Sequence, residues 1–496
     1  MKTTTRRSIR ATITATALAA VAVLGITAPV SAAPLVDPTQ AGSITVHKFE
    51  KPNAPTGLPN NGIAVDTSGL TPLAGVTFEI QQVSTIDLST NAGWADASAL
   101  SGAFDTSDPE GSVTGAGHAL GAATTQVTAG DGTAAFGNLP VGLYLVQETA
   151  YPAGVTPSVP FLVTVPLTDP DNTDSWIYDV NVYPKNSVTE GEKTVDDASS
   201  VQLGDQLVWT ITSGIPNESV IDGYKVVDPL DSKLDYVDTV VTLSNGATVA
   251  EGTDYAVTHD TATNTVTVEF TAVGLALLSA NSTADVVVDV VTAVNSIGEI
   301  QNQALVYPNA ASFDIAPGQP GGPTETNVPE TRWGAITIEK TDGTDALTGA
   351  EFQVFTSAAD AEAQANPIAL NGETTFAVTN TDGTLTISGL RYSDFANNAT
   401  VAPGDGGFIQ YHLVETKAPS GHELLAEPIQ FTINASTTVV GVDLEVVNVP
   451  SNAGFQLPMT GGTGAGLLYV AGFAMIAGGL LFLVIRRRAD ERHARS

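Results

Sequence analysis

Three residue types that can together form an amide bond occur in the same order in more than one part of the chain: a lysine, an acidic residue and an asparagine. In the last third they are Lys340, Glu415 and Asn448. If they were buried side by side, the loss of hydration would lower the pKa of the amine and raise the pKa of the acid. A neutral amine is a nucleophile, and a protonated acid can donate a hydrogen bond to the amide carbonyl. The amine would then displace ammonia from the asparagine and leave a covalent cross-link, with an ordinary Lys–Glu ion pair as the alternative.

The other two thirds of the chain carry related residues. In the middle third the three residues are Lys193, Asp228 and Asn302. The first third has the lysine and the acid, at Lys48 and Glu148, but no asparagine in clear register with Asn448. Asn181 and Asn186 are both candidates for the missing position. We therefore expect cross-links in the middle and last thirds and leave a third one, from Lys48 to Asn186, open.

β-Strands have to position these residues. Alternating apolar and polar residues, interrupted by Asp-Gly, Asn-Gly and Pro turns, indicate strands at 44–49, 161–165, 207–211, 265–270 and 336–338. Before the C-terminal apolar segment no run shows sustained helical periodicity, although 272–279 and 358–365 could form short helices. The pattern predicts an all-β chain of tandem immunoglobulin-like sandwiches, in which first and last strands can lie side by side and bring lysine and asparagine together.

The first and last thirds are copies of one domain. Four blocks of the first third recur in the same order in the last third, as 42–48 and 334–340, 73–78 and 347–352, 131–133 and 382–384, and 144–154 and 411–421. The middle third lacks these blocks, and residues 316–329 are rich in Pro and Gly, as in a linker. We expect sandwich domains over 33–186, 187–328 and 329–450.

Composition excludes several classes of protein. The chain has 19 basic against 53 acidic residues and a formal charge of −34, which argues against binding nucleic acid. It has no cysteine, which excludes disulfides, thiolate metal sites and cysteine nucleophiles. Asp169, Asp171 and Asp174 lack the spacing of a calcium loop and fit a solvated acidic turn better. Without a motif for turnover of a small substrate, we expect a non-enzymatic protein with no cofactor and no metal.

Both ends of the chain carry targeting signals. Residues 1–32 combine basic residues, a short apolar run and small residues, which is typical of a secretory signal peptide. Residues 451–496 contain Leu457-Pro458-Met459-Thr460-Gly461, an apolar run over 464–485 and three consecutive arginines. The apolar run is long enough to cross a bilayer, and the arginines place its far end in the cytoplasm.

Three motifs of the chain resemble motifs of known protein families. The pentapeptide 457–461, followed by a spanning helix and a basic tail, resembles the cell-wall sorting signal of Gram-positive surface proteins. The segment 411–421, with sequence YHLVETKAPSG, is similar to the E-box of Cna B-like domains in pilins and collagen adhesins. The segment 176–185 matches the pilin motif at all its fixed positions, which are Trp176, Val180, Val182, Tyr183, Pro184 and Lys185.

The resemblance implies the major shaft subunit of a sortase-assembled pilus, with Cna B-like first and last domains. In that family a sortase cuts between the Thr and Gly of the sorting signal and holds the Thr as a thioester until a pilin-motif lysine attacks it. Lys185 would thus join Thr460 of another copy, and Asp228 and Glu415 would catalyse intramolecular isopeptide bonds. The implied partners are a pilus-specific sortase, other copies of the chain, a tip or accessory pilin and peptidoglycan, while the receptor stays unidentified. The implied location is a pilus anchored in the cell wall, with a monomeric wall-anchored adhesin as the alternative.

Overall fold

The computed structural model describes residues 35–439, 441–451 and 464–493, and the chain divides into two compact units. The first unit takes in the chain up to Pro152 together with Pro157–Ser187, and the second takes in Ala153–Thr156 and everything from Val188 onward. The predicted signal peptide over 1–32 lies outside the described residues.

The first unit is a β-sandwich. The strands along this part of the chain are β1 (Gly42–His47), β2 (Phe49–Glu50), β3 (Thr77–Gln82), β4 (Thr124–Val127), β5 (Thr133–Leu139), β6 (Gly142–Ala150), β7 (Val155–Thr156), β8 (Phe161–Val165), β9 (Leu167–Thr168), β10 (Trp176–Ile177), β11 (Asp179–Val182) and β12 (Lys185–Val188). Of these, β7 and the last residue of β12 are assigned to the second unit. Two of its sheets have the strand orders β11-β1-β5 and β4-β3-β6-β8. Inward-facing side chains such as Ile44, Phe78 and Phe136 are buried in its core.

Two helices of the first unit were not expected from the sequence. They are α1 (Asn91–Ala103) and α2 (Pro109–Gly115), inserted between β3 and β4. Both start at side-chain caps, since the side chains of Thr90 and Asp108 accept hydrogen bonds from backbone N–H groups of the first turn. Asp108 followed by proline at the first helical position is a recognisable start signal.

The second unit begins with a middle domain. Its strands are β13 (Gly191–Asp196), β14 (Gln206–Gly214), β15 (Lys225–Pro229), β16 (Leu234–Leu243), β17 (Tyr255–Asp260), β18 (Thr265–Phe270), β19 (Asp285–Val294), β20 (Gly298–Gln301), β21 (Leu305–Tyr307) and β22 (Thr324–Glu325). Two sheets, β13-β14-β19-β16 and β17-β18-β15-β21-β22, enclose a core that contains Trp209 and Tyr224. Helix α3 (Ala272–Ala280) and a 3-10 helix (Ala310–Asp314) complete the domain. Strand β22 lies inside the Pro- and Gly-rich segment.

The last domain has strands β23 (Glu330–Thr341), β24 (Glu351–Phe355), β25 (Phe376–Ala377), β26 (Thr384–Arg391), β27 (Phe395–Ala396), β28 (Ala399–Thr400), β29 (Tyr411–Lys417), β30 (Ile429–Phe431) and β31 (Leu444–Val447), and a short helix α4 (Ala358–Ala363). Strand β23 serves two domains. Its first half pairs with β20 and packs Trp333 into the middle core, and its second half pairs with β26 and β31 and packs Ile336 and Ile338 into the last core. The middle and last domains therefore share one continuous strand.

The buried side chain of Arg391 links the middle and last domains by hydrogen bonds. Its guanidinium is fully buried and donates to the backbone carbonyls of Ser200, Tyr392, Phe395, Ala198 and Gly407. Two of these carbonyls belong to the middle domain and three to the last. Because a guanidinium has five N–H donors in a fixed plane, one side chain can satisfy carbonyls from several segments at once.

The all-β expectation is confirmed. Strands occur at each of the five predicted runs, and α3 and α4 lie where short helices were expected. Helix α5 (Gly464–His493) follows the last domain in sequence. Its stretch Tyr469–Arg487, 19 residues with a mean hydropathy of 1.9, is long and apolar enough to cross a membrane.

Candidate functional site

The middle domain buries its lysine, acid and asparagine together. Alternation along β13 and β15 turns Lys193 and Asp228 inward, and Asn302 follows directly after β20. The Lys193 Nζ lies 2.6 Å from Asp228 Oδ1 and 5.5 Å from the ring centre of Trp209. The Asn302 Nδ2 lies 3.4 Å from Asp228 Oδ2. Asp228 thus stands between the two nitrogens.

Burial shifts both titrating groups of the middle domain in the direction that favours attack. It lowers the pKa of Lys193 from 10.5 to about 8, against the opposing charge of Asp228. It also raises the pKa of Asp228 above its usual value, with Lys193 and Asn302 acting in the opposite sense. Both shifts favour a neutral amine beside a neutral acid, which is the reactive protonation state.

The last domain buries its three residues, and a parallel strand pair places Lys340 near Asn448, but among the described residues the Lys340 amine forms no hydrogen bond or ion pair with Glu415 or Asn448. Strand β23 pairs with β31 so that Lys340 lies opposite Val446, two residues before Asn448. Asn448 Nδ2 donates to Glu415 at 3.0 Å from Oε1 and 2.8 Å from Oε2. Lys340 is fully buried, and its Nζ donates to the Val446 carbonyl at 2.7 Å. Burial lowers the pKa of Lys340, opposed by the charge of Glu415.

The first unit assembles a third group of the same kind. Strand β2 pairs in parallel with β12, which places the fully buried Lys48 next to Asn186. Lys48 Nζ lies 2.7 Å from Glu148 Oε1 and also donates to Asn186 Oδ1. Asn181, the other candidate, lies instead 2.9 Å from the ring of His47. Of the two asparagines, Asn186 is therefore the one next to Lys48.

Two features of the first-unit group were not anticipated. Ser158, from the loop before β8, hydrogen-bonds to Lys48, Glu148 and Asn186. In addition, in all three groups the carboxyl group faces the amide nitrogen of the asparagine, although we expected it to face the carbonyl oxygen. In each group the amide Nδ2 donates to a carboxyl oxygen.

Lys185 lies beside Asn186 on β12 but in a different environment. Its side chain is half-buried at a groove of about 680 Å³ whose lining includes Leu58, Leu162 and Leu167. Its Nζ donates to the carbonyl of Tyr183 at 3.1 Å, and partial burial lowers its pKa. In the described residues no carboxylate forms an ion pair with it. This amine is accessible and is not paired with a carboxylate among the described residues.

The other residues of the 176–185 motif hold this strand in place. Trp176 stacks on Trp94 with ring centres 5.5 Å apart, and Val180 is fully buried. Tyr183 stacks on His47, and its hydroxyl accepts a hydrogen bond from Val65 N at 3.0 Å. Strand alternation predicts that Val180 and Val182 both face the core, but Val182 is only half-buried and lines the groove with Pro184.

No other chemistry stands out in the described parts of the chain. Within them no group of three His, Cys, Asp or Glu side chains is arranged to hold a metal ion. Asp169 accepts hydrogen bonds from Asp171 N, Asn172 N and the Ser175 hydroxyl, as in a tight acidic turn. The sorting motif, Leu457, Pro458, Met459, Thr460 and Gly461, lies outside the described residues.

Family models match three consecutive parts of the chain. Residues 39–187 match the N-terminal domain D1 of Gram-positive pilin subunits, 189–313 match the Sgo0707 N2 domain, and 334–446 match the SpaA prealbumin-like fold domain.

Relatives and solved structures agree with these matches. The chain is 32% identical to fimbrial subunit type 1 of Actinomyces viscosus over 98% of both chains, and 32% identical to fimbrial subunit type 2 of Actinomyces naeslundii over 91% of both. It is similar in structure to the full-length major pilin SpaD of Corynebacterium diphtheriae, with a TM-score of 0.65, 29% identity and coverage of 84% of this chain and 98% of that one. The C. diphtheriae major pilin SpaA gives a TM-score of 0.59 at 28% identity, covering 82% of this chain and all of that one.

Proposed function

Because this chain belongs to the Gram-positive major pilins, we propose that its copies are joined head to tail by a sortase through Lys185 and Thr460. The neutral Lys185 amine attacks the carbonyl carbon of the Thr460 thioester that the sortase holds. The new N–C bond replaces the C–S bond, and the sortase thiolate takes up the proton released by the amine. The product is an amide between two copies.

The main support for this proposal is that the Lys185 amine is accessible and forms no ion pair among the described residues. Its neighbour in sequence, Asn186, is buried, whereas Lys185 opens onto the groove. A backbone carbonyl at 3.1 Å holds the amine in place without the charge of a carboxylate, which would stabilise its protonated form. The lowered pKa of Lys185 increases the fraction of nucleophilic amine.

We also propose that the three buried groups form internal isopeptide bonds. In the middle domain Lys193 passes a proton to Asp228, and the neutral amine attacks the Cγ of Asn302. Asp228 then gives this proton to Nδ2, which leaves as ammonia, and takes up the second proton of the attacking nitrogen, so that the new amide is neutral and Asp228 ends as a neutral acid. The 2.6 Å contact between Lys193 and Asp228 and the position of Asp228 beside Nδ2 support these proton transfers. Glu415 performs the same role for Lys340 and Asn448, and Glu148 for Lys48 and Asn186.

The remaining partners follow from the same proposal. After export, the apolar helix α5 holds the precursor in the membrane until a sortase cuts after Thr460. The polymer ends in a covalent link to peptidoglycan and carries a tip or accessory pilin. The pilus then serves adhesion as a structural fibre, without catalytic turnover.

Replacing Lys185 by arginine tests the polymerisation. Arginine keeps the charge and length of the side chain, but its guanidinium is not a nucleophile at physiological pH. We expect the ladder of high-mass surface polymers to disappear while secretion of the monomer continues. Lys417→Arg, at an exposed lysine of β29, is the matched control and should leave the ladder intact. An unchanged ladder in Lys185→Arg would favour the monomeric wall-anchored adhesin.

A further inference from the structure

Ser158 contacts every member of the first-unit group. Its backbone N–H donates to Asn186 Oδ1 at 2.6 Å. Its hydroxyl donates to Glu148 Oε1 at 2.5 Å and accepts from Lys48 Nζ at 3.3 Å. The loop before β8 thus supplies a fourth residue to a group that the sequence describes as three.

The backbone contact distinguishes this group from the other two. Asn302 Oδ1 and Asn448 Oδ1, the equivalent amide oxygens of the middle and last domains, are buried without a hydrogen-bond partner in the described residues. In the first unit a backbone donor lies against the same atom. This oxygen takes up negative charge when the amine attacks the carbon bonded to it.

We propose that Ser158 is a catalytic residue of the first-unit cross-link, and that its backbone N–H forms an oxyanion hole for Asn186. The inference rests on the proposed isopeptide chemistry. A fixed N–H that points at the developing oxyanion stabilises the transition state more than the ground state, because the charge on that oxygen grows as the reaction proceeds.

The contacts account for each proton of the reaction. The neutral Lys48 amine attacks Cγ of Asn186, and the charge that forms on Oδ1 is held by the N–H of Ser158. The amine proton moves to Glu148 Oε1, directly over 2.7 Å or through the Ser158 hydroxyl. The proton of the neutral Glu148 acid moves from Oε2 to Asn186 Nδ2, 2.6 Å away, as the C–N bond breaks. One amide and one ammonia result, and Glu148 ends as a neutral acid again.

The N–H and the hydroxyl of Ser158 can be tested separately. Cell-free synthesis of the full chain with the α-hydroxy acid analogue of serine at position 158 turns one peptide bond into an ester and removes only the N–H donor. Ser158→Ala removes only the hydroxyl. The same ester replacement at Val159, an exposed neighbour, is the matched control. Samples taken over time are digested, and the peptides that hold Lys48 and Asn186 are quantified as joined or free.

The ester at 158 is expected to slow first-unit joining by about 10²- to 10³-fold, as for the loss of one oxyanion-hole donor. Ser158→Ala and the ester at 159 should stay within about tenfold of the unaltered rate, since direct transfer from Lys48 to Glu148 persists. The cross-links of the middle and last domains in the same molecules should form at unaltered rates, which would show that the chain is correctly folded.

Each alternative result has a distinct meaning. Unaltered joining with the ester at 158 would overturn the oxyanion role and leave the cross-link itself standing. An equal loss in Ser158→Ala, which keeps the N–H, would show that joining responds to any change at residue 158 and would overturn the specific role of the N–H. If the unaltered chain never joins Lys48 to Asn186, the cross-link proposal for this unit fails, and the role of Ser158 fails with it.

Discussion

Replacing Asn302 by alanine removes the carbon that Lys193 would attack and leaves the neighbouring ion pair in place. Among the described residues the side chain of Asn302 makes one hydrogen bond, at 3.4 Å to Asp228, so its direct loss costs about 1 kcal/mol. The cross-link has a larger effect, because it closes a loop of the unfolded chain from residue 193 to residue 302. A loop of about 100 residues restricts the unfolded chain by about 4.7 kcal/mol in the loop-entropy model.

These magnitudes separate the two readings of the middle domain. With the bond, Asn302→Ala should lower the melting temperature of this domain by roughly 15–25 °C. Without it, the loss of one hydrogen bond should lower the temperature by roughly 3–6 °C. Calorimetry of the full chain measures the transition, and intact mass of the processed chain shows whether the variant retains one more ammonia than the parent.

Gln301→Ala is the matched control for side-chain truncation, because Gln301 is the exposed neighbour on β20. It should keep both the mass deficit and the melting temperature of the parent. The reasoning is refuted if the parent chain has the mass of its unmodified sequence, or if the bond is present and Asn302→Ala melts within a few degrees of the parent.

Three further predictions concern Lys193, Glu415 and Arg391. In Asn302→Ala the Lys193 amine stays titratable with a pKa lowered from 10.5 to about 8, so the unfolded chain binds more protons than the folded chain between these values. The stability of the middle domain should therefore rise with pH across that window, in denaturant unfolding at a series of pH values, and the cross-linked parent should lack this rise. Glu415→Ala should leave the last domain uncrosslinked, so that the intact mass increases beyond the substitution itself by one ammonia; a mass deficit equal to that of the parent would contradict the role of Glu415. Arg391→Lys should lower the melting temperature of the second unit, because a lysine has three donors and cannot satisfy all five carbonyls, with about 1–3 kcal/mol lost for each buried carbonyl left unpaired; unchanged melting would show that these contacts do not hold the domains together.

The sequence predicted those features that follow from local patterns. Alternation along β8 and β18 marks these strands at their observed limits. The repeated blocks placed Lys340 and Lys48 at matching positions, and parallel pairing of the first and last strands brings each of them beside an asparagine. These contacts depend on strand order, which periodicity and repeats constrain.

The sequence did not predict the features that depend on loop conformation. Ser158 sits in a Pro-rich loop with no periodicity, and its approach to Lys48 and Asn186 depends on how that loop folds back. The choice between Asn181 and Asn186 was open for a related reason. Asn181 lies on β11 and Asn186 on β12, separated by a break of two residues, and only the register with β1 and β2 distinguishes them. The orientation of the amides depends on which oxygen and nitrogen atoms meet in the folded core, which no sequence pattern encodes.

The adjacency of Lys185 and Asn186 determines where tension passes in the proposed fibre. A pull enters each copy at the Lys185 side chain and leaves at Thr460, so the backbone before residue 185 carries no load. Within the loaded part, the cross-links divert force around residues 194–301 and 341–447. Three stretches of backbone, 185–193, 302–340 and 448–460, then transmit the pull, and β23 forms the end of the second. The cross-linked parts of each copy would resist extension, and the first unit, which carries no load, could change its surface without weakening the fibre.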